Sequence, residues 1–322
     1  MTYFLIIAGF ALLLVGGESV VRGSVALAQR LGVSPLIVGL TIVGFGTSLP
    51  EMVVSVNAAL VGSPGLAVGN VIGSNIANIL LILGVAAVIA PIAVHPGAVK
   101  RDLLGMTAVT LIYVALGMTG QIVFWHGVLM LIALCAYIGF TVWHDNKTND
   151  EVAKLHREEA AEMGVIPLRT VSICGIIAIG LFAVVVGAEW LVTGATTLAR
   201  QYGVADEVIG LTIVAIGTSL PELATSIVAA YRGHSDVCVG NVLGSNLFNL
   251  FGITGVTALF APLPFSDKVV GFDLWMLLAA TLIIIPFMLS GRRISRVEGS
   301  ILLVLYLGFI ASQFFGVSGM PS

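Results

Sequence analysis

Two copies of a short polar motif contain the residues of this chain whose types and spacing could do chemistry. Residues 39–51 read GLTIVGFGTSLPE and residues 210–222 read GLTIVAIGTSLPE, so the two glutamates are 222 − 51 = 171 residues apart in a chain of 322. Each copy places a carboxylate, a proline and neighbouring threonine and serine hydroxyls in strongly apolar sequence. Hard cations such as Ca²⁺ and Na⁺ prefer oxygen ligands of this kind. The repeat therefore predicts a cation site built from both copies.

Pro50 and Pro221 predict a helix break in the middle of each apolar segment. A proline has no N–H to donate and clashes with the carbonyl four residues earlier, so that carbonyl loses its helical partner. In lipid a freed carbonyl persists only where it meets protein, water or an ion. A carboxylate in such a segment, with no basic residue nearby in its span, is a functional candidate by default. Glu51 and Glu222 are accordingly the leading candidates.

Further polar side chains recur at helical spacing and at the same offset. The first half carries Thr47, Glu51 and Ser55, then Asn70, Ser74 and Asn78; the second half carries Thr218, Glu222 and Ser226, then Asn241, Ser245 and Asn249. Side chains four residues apart lie on one face of a helix. The pattern predicts four helices that present carboxylates, hydroxyls and amides to one cavity near the membrane midplane. Hydrogen bonding between helices explains four of the amides equally well: Asn70, Asn75, Asn241 and Asn246.

The composition indicates an integral membrane protein. The chain is 58% hydrophobic and 10% charged, whereas a soluble domain has roughly 25% charged residues. Apolar segments long enough to span a bilayer as helices occur at about 3–29, 34–61, 66–90, 102–119, 122–143, 169–200, 205–231, 237–261, 271–290 and 297–316. The predicted fold class is an all-α polytopic membrane protein with ten transmembrane helices.

The ten spans are predicted to form two inverted-topology repeats. Five spans precede and five follow the polar stretch, and an odd number of spans reverses the orientation of the second half, as in many secondary transporters. The predicted divisions are a first five-helix repeat at 1–144, a short cytoplasmic linker at 145–168 and a second, inverted repeat at 169–322. With the N-terminus outside, all of the 14 basic residues except Arg22, Arg200 and Lys268 fall in loops on the inner side. Arg22 falls inside the first span, four residues after Glu18, and on a helix these two side chains can pair. Because cytoplasmic loops carry the excess of basic residues, we expect both termini to be extracellular or periplasmic in a plasma or inner membrane.

The doubled motif resembles the two α-repeats of the sodium/calcium exchangers, which belong to the calcium/cation antiporter superfamily. GTSLPE occurs twice, and each copy is followed by GNVxGSN, at 69–75 and 240–246. The resemblance covers roughly residues 16–90 and 187–260. It implies a prokaryotic-type secondary antiporter that exchanges Ca²⁺ for Na⁺ by alternating access. It implies no enzymatic activity, no cofactor, no nucleic acid and no obligate protein partner, with the lipid bilayer as the surroundings.

The same resemblance implies a ligand set. It assigns Ca²⁺ coordination to Glu51 and Glu222 with the main-chain carbonyls of Thr47 and Thr218. It implies Na⁺ sites shared among Gly44, Thr47, Ser48, Glu51 and Ser74 and their repeat partners Ala215, Thr218, Ser219, Glu222 and Ser245. Asn78 and Asn249 would complete the central site. Potassium-dependent relatives are expected to carry an acid at position 249, so the amide there argues against potassium coupling.

The charge of the two glutamates bears on the stoichiometry of exchange. Two ionised glutamates supply a charge of −2, which one Ca²⁺ or two Na⁺ would neutralise, and a third Na⁺ would make the exchange electrogenic.

A Ca²⁺/H⁺ antiporter of the same fold, with a glutamate that carries the proton, is the first alternative. An intramembrane hydrolase with the glutamates as an acid/base pair explains the carboxylates but not the matched amides and hydroxyls. A passive cation channel is the remaining alternative.

Overall fold

The computed structural model describes residues 1–94, 96–147, 169–202, 217–290 and 293–315, which are almost entirely helical. The α-helices are α1 (Thr2–Leu31), α2 (Pro35–Val38), α3 (Gly44–Thr47), α4 (Leu49–Leu60), α5 (Pro64–Ala77), α6 (Leu83–Ile89), α7 (Pro96–Gly117), α8 (Phe124–Lys147), α9 (Thr170–Gln201), α10 (Leu220–Tyr231), α11 (Ser235–Leu247), α12 (Thr254–Phe260), α13 (Leu274–Ser290) and α14 (Arg296–Phe315). Within these described ranges, four π-helical segments adjoin them at Gly39–Val43, Asn78–Ile82, Phe248–Ile253 and Val269–Asp273. Four two-residue strands are β1 (Ile92–Ala93), β2 (Gln121–Ile122), β3 (Leu263–Pro264) and β4 (Arg293–Ile294).

Several helices are suited to cross a membrane. Within the described ranges seven helices are long and apolar enough, or eight if one bent pair counts as a single span. The predicted fourth span corresponds to α7, a helix of 22 residues that is not among these. Most of the predicted linker (148–168) and the first part of the predicted seventh span (205–216) lie outside the described residues. The structure therefore has the character of a helical membrane protein, and the count of ten spans stays a prediction.

The second predicted span is broken, as its sequence indicates. Helices Pro35–Thr47 and Leu49–Leu60 meet at an angle of 44°. The break falls at Ser48, whose φ of −84° and ψ of 7° depart from the helix. Pro50 lies in the first turn of the next helix, where its missing N–H would have had no helical acceptor in any case. The new helix thus begins at Leu49, directly after the bend, and the proline is its second residue.

The contacts of the chain divide it into two compact units. The first unit comprises residues 1–50 and 140–241, and the second comprises 51–139 and 242–322. Each unit combines segments from both halves of the sequence. Such a division by contacts differs in kind from the predicted division into related halves, at 1–144 and 169–322, which remains a prediction.

The first unit is built on the pairing of α1 with α9, which approach closely at glycines. A Cβ atom added to Gly187 would lie 2.8 Å from the carbonyl oxygen of Gly9, and one added to Gly16 would lie 2.8 Å from that of Gly180. Each helix contributes the same two positions of the repeat, because Gly9 and Gly16 correspond to Gly180 and Gly187 at the offset of 171. Small residues let membrane helices pack backbone against backbone, and this close packing occurs at both pairs of glycines.

An ion pair also links two helices of the first unit. Arg22 donates to Glu18 Oε1 at 2.5 Å, which confirms the pairing that their spacing of four residues predicts. Arg232, next after the end of α10, donates to Glu18 Oε2 at 2.7 Å. No sequence pattern could have predicted this second partner, which is 214 residues away.

The second unit contains two short antiparallel ribbons and a packed helix pair. Strand β1 pairs with β4 through Ile92 and Ile294, and β2 pairs with β3 through Ile122 and Leu263. Helices α7 and α13 pack together, with 3.4 Å between the hydroxyls of Thr110 and Thr281, which are equivalent positions of the repeat. The ribbons were not predicted, because two residues are too few to leave a periodic pattern.

The close approach of α1 and α9 generates a prediction about stability. Gly187→Ala places a methyl group 2.8 Å from a main-chain oxygen, so the helices must separate, and we expect a loss of about 1–3 kcal/mol. Gly175→Ala in the same helix is the matched control, since an added Cβ meets nothing within 4 Å there. Thermal unfolding of the detergent-solubilised variants measures both changes. Equal midpoints for the two variants would contradict the packing described.

Candidate functional site

The two GTSLPE motifs have the same local backbone. Ser219 has φ −88° and ψ 6°, close to the −84° and 7° of Ser48. Immediately after each serine a new helix begins, so Glu51 and Glu222 both lie in a first helical turn. The unpaired N–H groups and the dipole at a helix N-terminus favour negative charge there. Both glutamates are 1% exposed, so the break gives each buried carboxylate a favourable position.

In the first unit, hydroxyls of the first motif contact Glu222 of the second motif and the nearby Asn241. Ser48 donates a hydrogen bond of 2.7 Å to Glu222 Oε1, and Thr47 donates one of 3.2 Å to Asn241 Oδ1. The other carboxylate oxygen, Glu222 Oε2, is buried and has no hydrogen-bond partner among the described residues. The same holds for the Thr218 hydroxyl. Buried oxygens in that state are costly unless a donor or a cation completes them.

Asn241 and its repeat partner Asn70 make matching hydrogen bonds. Asn241 Nδ2 lies 3.3 Å from the carbonyl oxygen of Glu222 and 2.9 Å from Ser226 Oγ. In the second unit, Asn70 Nδ2 lies 3.2 Å from the carbonyl oxygen of Glu51 and 2.9 Å from Ser55 Oγ. The sequence left these asparagines undecided between a site and interhelical packing. Their fixed distance of 19 residues from each glutamate was the signal that could have linked them.

An amide cluster lies in the second unit. Asn78 Nδ2 donates to Asn246 Oδ1 at 3.0 Å, and Asn246 Nδ2 donates to the carbonyl oxygen of Asn75 at 3.4 Å. Asn249 is fully buried, yet neither its Nδ2 nor its Oδ1 has a hydrogen-bond partner in the described part of the chain.

Both predicted asparagine positions adjoin π-helical turns. Asn78 begins the segment Asn78–Ile82, and Asn249 lies in Phe248–Ile253, at the equivalent place in the repeat. Such turns occur frequently at functional sites, because the extra residue disturbs the helical hydrogen-bond pattern. These turns were not predicted from the sequence.

Most of the predicted site residues are buried. The structure buries Gly44, Thr47, Ser48, Glu51, Ser74, Asn78, Ser219, Glu222, Ser245 and Asn249, and leaves Thr218 half-buried. It brings Thr47 and Ser48 to Asn241 and Glu222 in the first unit, and Asn78 to Asn246 in the second. Ala215 lies outside the described residues. The arrangement supplies carboxylate, hydroxyl and amide oxygens, which are ligands for hard cations.

Comparisons with known proteins agree on one family. The model of the sodium/calcium exchanger protein family matches residues 1–143 and 172–315. A putative antiporter, CaxA of Alkalimonas amylolytica, is 38% identical over 313 residues, which cover 94% of this chain and 96% of the relative. The sodium/calcium exchanger MaX1 of Methanosarcina acetivorans is 31% identical, over 98% of this chain and 99% of its own.

A solved structure matches over nearly the same extent. The sodium-calcium exchanger NCX_Mj, soaked with zero Na⁺ and Ca²⁺, aligns with a TM-score of 0.84 at 34% identity, and the alignment covers 97% of this chain and 98% of that one. This chain belongs to the sodium/calcium exchanger family. Members of the family are membrane transporters, so the hydrolase alternative is set aside, and calcium/cation exchange is the class of activity.

The contrast between Asn249 and Asn246 generates a prediction. Asn249→Leu removes an amide with no described hydrogen bond, so the free energy of unfolding without added Ca²⁺ or Na⁺ should stay unchanged or rise. Asn246→Leu, the matched control, removes the bonds to Asn78 and Asn75 and should lower it by about 1–3 kcal/mol. Unfolding in ion-free detergent solution measures both. An equal loss in the two variants would show that Asn249 has a bonded partner.

Proposed function

We propose that this protein exchanges Ca²⁺ for Na⁺ across its membrane by alternating access, with Glu51 and Glu222 as the principal cation ligands. The observation that carries the proposal is the 2.7 Å hydrogen bond from Ser48 of the first motif to Glu222 of the second. A hydroxyl of one motif copy thereby donates a hydrogen bond to the carboxylate of the other, as expected if both copies contribute to one site. Membership of the family, and relatives named sodium/calcium exchangers, support the choice of ions.

The proposed ligands comprise side chains and main-chain carbonyls of both motif copies. Ca²⁺ binds Glu51 and Glu222 with the carbonyls of Thr47 and Thr218. Na⁺ sites share these residues with Gly44, Ser48, Ser74, Ala215, Ser219 and Ser245, and Asn78 and Asn249 complete the central site. Ca²⁺ and Na⁺ are the substrates in this proposal, which needs neither a resident cofactor nor an obligate protein partner.

Competition of the two ions for one set of ligands gives exchange in place of leak. Two ionised glutamates without a cation carry −2, and moving such a site across lipid is too costly to occur readily. One Ca²⁺ neutralises the site, and three Na⁺ leave it with +1. Each elementary charge moved is worth about 2.3 kcal/mol per 100 mV, so the membrane potential contributes to the driving force.

The architecture that we propose for this mechanism is a pair of inverted five-helix repeats, ten helices in all. The repeats occupy 1–144 and 169–322, joined by a cytoplasmic linker at 145–168. The closely similar backbone at Ser48 and Ser219 and the matching bonds of Asn70 and Asn241 support two structurally equivalent halves. The distribution of basic residues supports extracellular or periplasmic termini in a plasma or inner membrane.

Calcium uptake into proteoliposomes tests the two glutamates. An outward Na⁺ gradient should drive ⁴⁵Ca²⁺ uptake by the unaltered protein, and Glu51→Gln or Glu222→Gln should lower the initial rate by at least about a hundredfold, because each removes half of the site's charge. Glu189→Gln is the matched control: it removes an exposed carboxylate from a span and should leave uptake unchanged. Undiminished uptake in both glutamine variants would overturn the proposed site.

The same vesicles separate the alternative functions. Uptake driven by a pH gradient in sodium-free buffer would show that H⁺, and not Na⁺, is the coupled ion. A requirement for K⁺ together with Na⁺ would contradict the inference from Asn249. Discrete single-channel currents would identify a passive channel and overturn exchange altogether.

Electrogenic exchange makes a separate prediction. With Na⁺ inside and Ca²⁺ outside, three Na⁺ leave for each Ca²⁺ that enters, so one positive charge moves outward per cycle. An inside-positive potential, imposed with valinomycin and external K⁺, should therefore accelerate uptake, and an inside-negative potential should slow it. A rate that does not respond to either potential would indicate two Na⁺ per Ca²⁺.

A further inference from the structure

Asn241 is hydrogen-bonded to residues of both motif copies. It is 1% exposed, and its Nδ2 lies 3.3 Å from the carbonyl oxygen of Glu222, 3.1 Å from Thr225 Oγ1 and 2.9 Å from Ser226 Oγ. Its Oδ1 accepts the hydrogen bond of 3.2 Å from Thr47. One amide thus contacts the second motif and its helix through nitrogen and the first motif through oxygen.

The chemistry of the neighbours fixes which way this amide faces. The carbonyl of Glu222 can only accept a hydrogen bond, so Nδ2 must face it, and Oδ1 is left for the hydroxyl of Thr47. That hydroxyl must then donate its proton to Oδ1. With the proton directed to Asn241, the lone pairs of the Thr47 oxygen are free to face a cation.

The repeat separates two functions of this asparagine. Asn70 makes the equivalent bonds to the carbonyl of Glu51 and to Ser55, at 3.2 and 2.9 Å. Bonds made in both copies fix the start of the helix that carries the glutamate. For Asn241 the structure describes in addition the bond from Thr47, which orients a residue of the other motif copy.

We propose that Asn241 is a positioning residue that sets the orientation of the Thr47 hydroxyl and the helix start at Glu222 together, and so tunes cation affinity. It rests on the proposed function, because the cations are the probes. When the amide is absent, the carbonyl oxygen of Gly44, 3.4 Å away in the same helix, can accept the Thr47 proton. The hydroxyl then turns toward its own helix, and its lone pairs turn with it.

A double-mutant cycle tests the coupling. Thr47→Val removes the hydroxyl and keeps the main-chain carbonyl, and Asn241→Ala removes the amide. Each should raise the Ca²⁺ concentration for half-maximal uptake by about three- to tenfold, with a smaller change in the maximal rate. Because both changes affect one interaction, Thr47→Val should add less than about twofold in the Asn241→Ala background.

Two further backgrounds serve as controls. Asn70→Ala removes the equivalent amide without removing the acceptor of Thr47, so Thr47→Val should keep its full effect there. Asn241→Asp keeps an oxygen for the Thr47 proton at nearly the same shape, so the effect of Thr47→Val should also persist. This second variant provides a measurement if Asn241→Ala does not fold, which thermal unfolding of the purified protein reveals.

The outcomes are distinct. A Thr47→Val effect that is lost in Asn241→Ala and kept in Asn70→Ala and Asn241→Asp supports the positioning function. If Asn241→Ala does not fold, a Thr47→Val effect that persists in Asn241→Asp supports it, and one that disappears there overturns it. Full multiplication of effects in the Asn241→Ala background, with the unaltered protein active, overturns it while the exchange function stands. Absence of Na⁺-driven uptake by the unaltered protein overturns the proposed function, and the positioning function with it.

Discussion

The two carboxylates buried in apolar spans impose the strongest constraint on this molecule, because burying an uncompensated charge in a membrane costs a large amount of free energy. Glu51 and Glu222 are both almost completely buried. The break at Ser48 and Ser219 places each of them in the first turn of a helix, where backbone N–H groups favour negative charge. The helix break at each serine therefore places the nearby glutamate where a buried negative charge is favoured.

The polar contacts around this break are repeated with small differences. Asn70 and Asn241 fix the two helix starts at nearly equal distances, which is what gene duplication followed by little change would give. The hydroxyls of Thr47 and Ser48, however, bond to Asn241 and Glu222. The first motif copy thus contributes in two ways: it has its own glutamate, and its hydroxyls complete the surroundings of Glu222.

Sequence reasoning predicted the features that depend on local chemistry. The repeat at 171 residues, the Glu18–Arg22 pair and the bend before Pro50 follow from composition and short spacing alone, and the structure confirms the pair and the bend. Features that need distant segments were missed. The bond from Arg232 to Glu18 and the bond from Thr47 to Asn241 join residues whose separation in sequence gives no periodic signal.

The π-helical turns at Asn78 and Phe248 were missed for another reason. A single extra residue in a helical turn changes the backbone without changing the hydrophobic period enough to be read. Their presence at equivalent positions means that the repeat preserves a backbone irregularity as well as side chains. The sequence alone identifies the polar residues there but not the geometry that presents them.

The two short ribbons bear on how the protein is made. Strand β1 pairs with β4 and β2 with β3, so each ribbon joins a strand from early in the chain to one from late in it. A nascent chain that has inserted only its first half still has two strands without partners. Contacts between such distant segments form late and slow folding. The two ribbons can therefore close only after β3 and β4, at residues 263–264 and 293–294, have been synthesised.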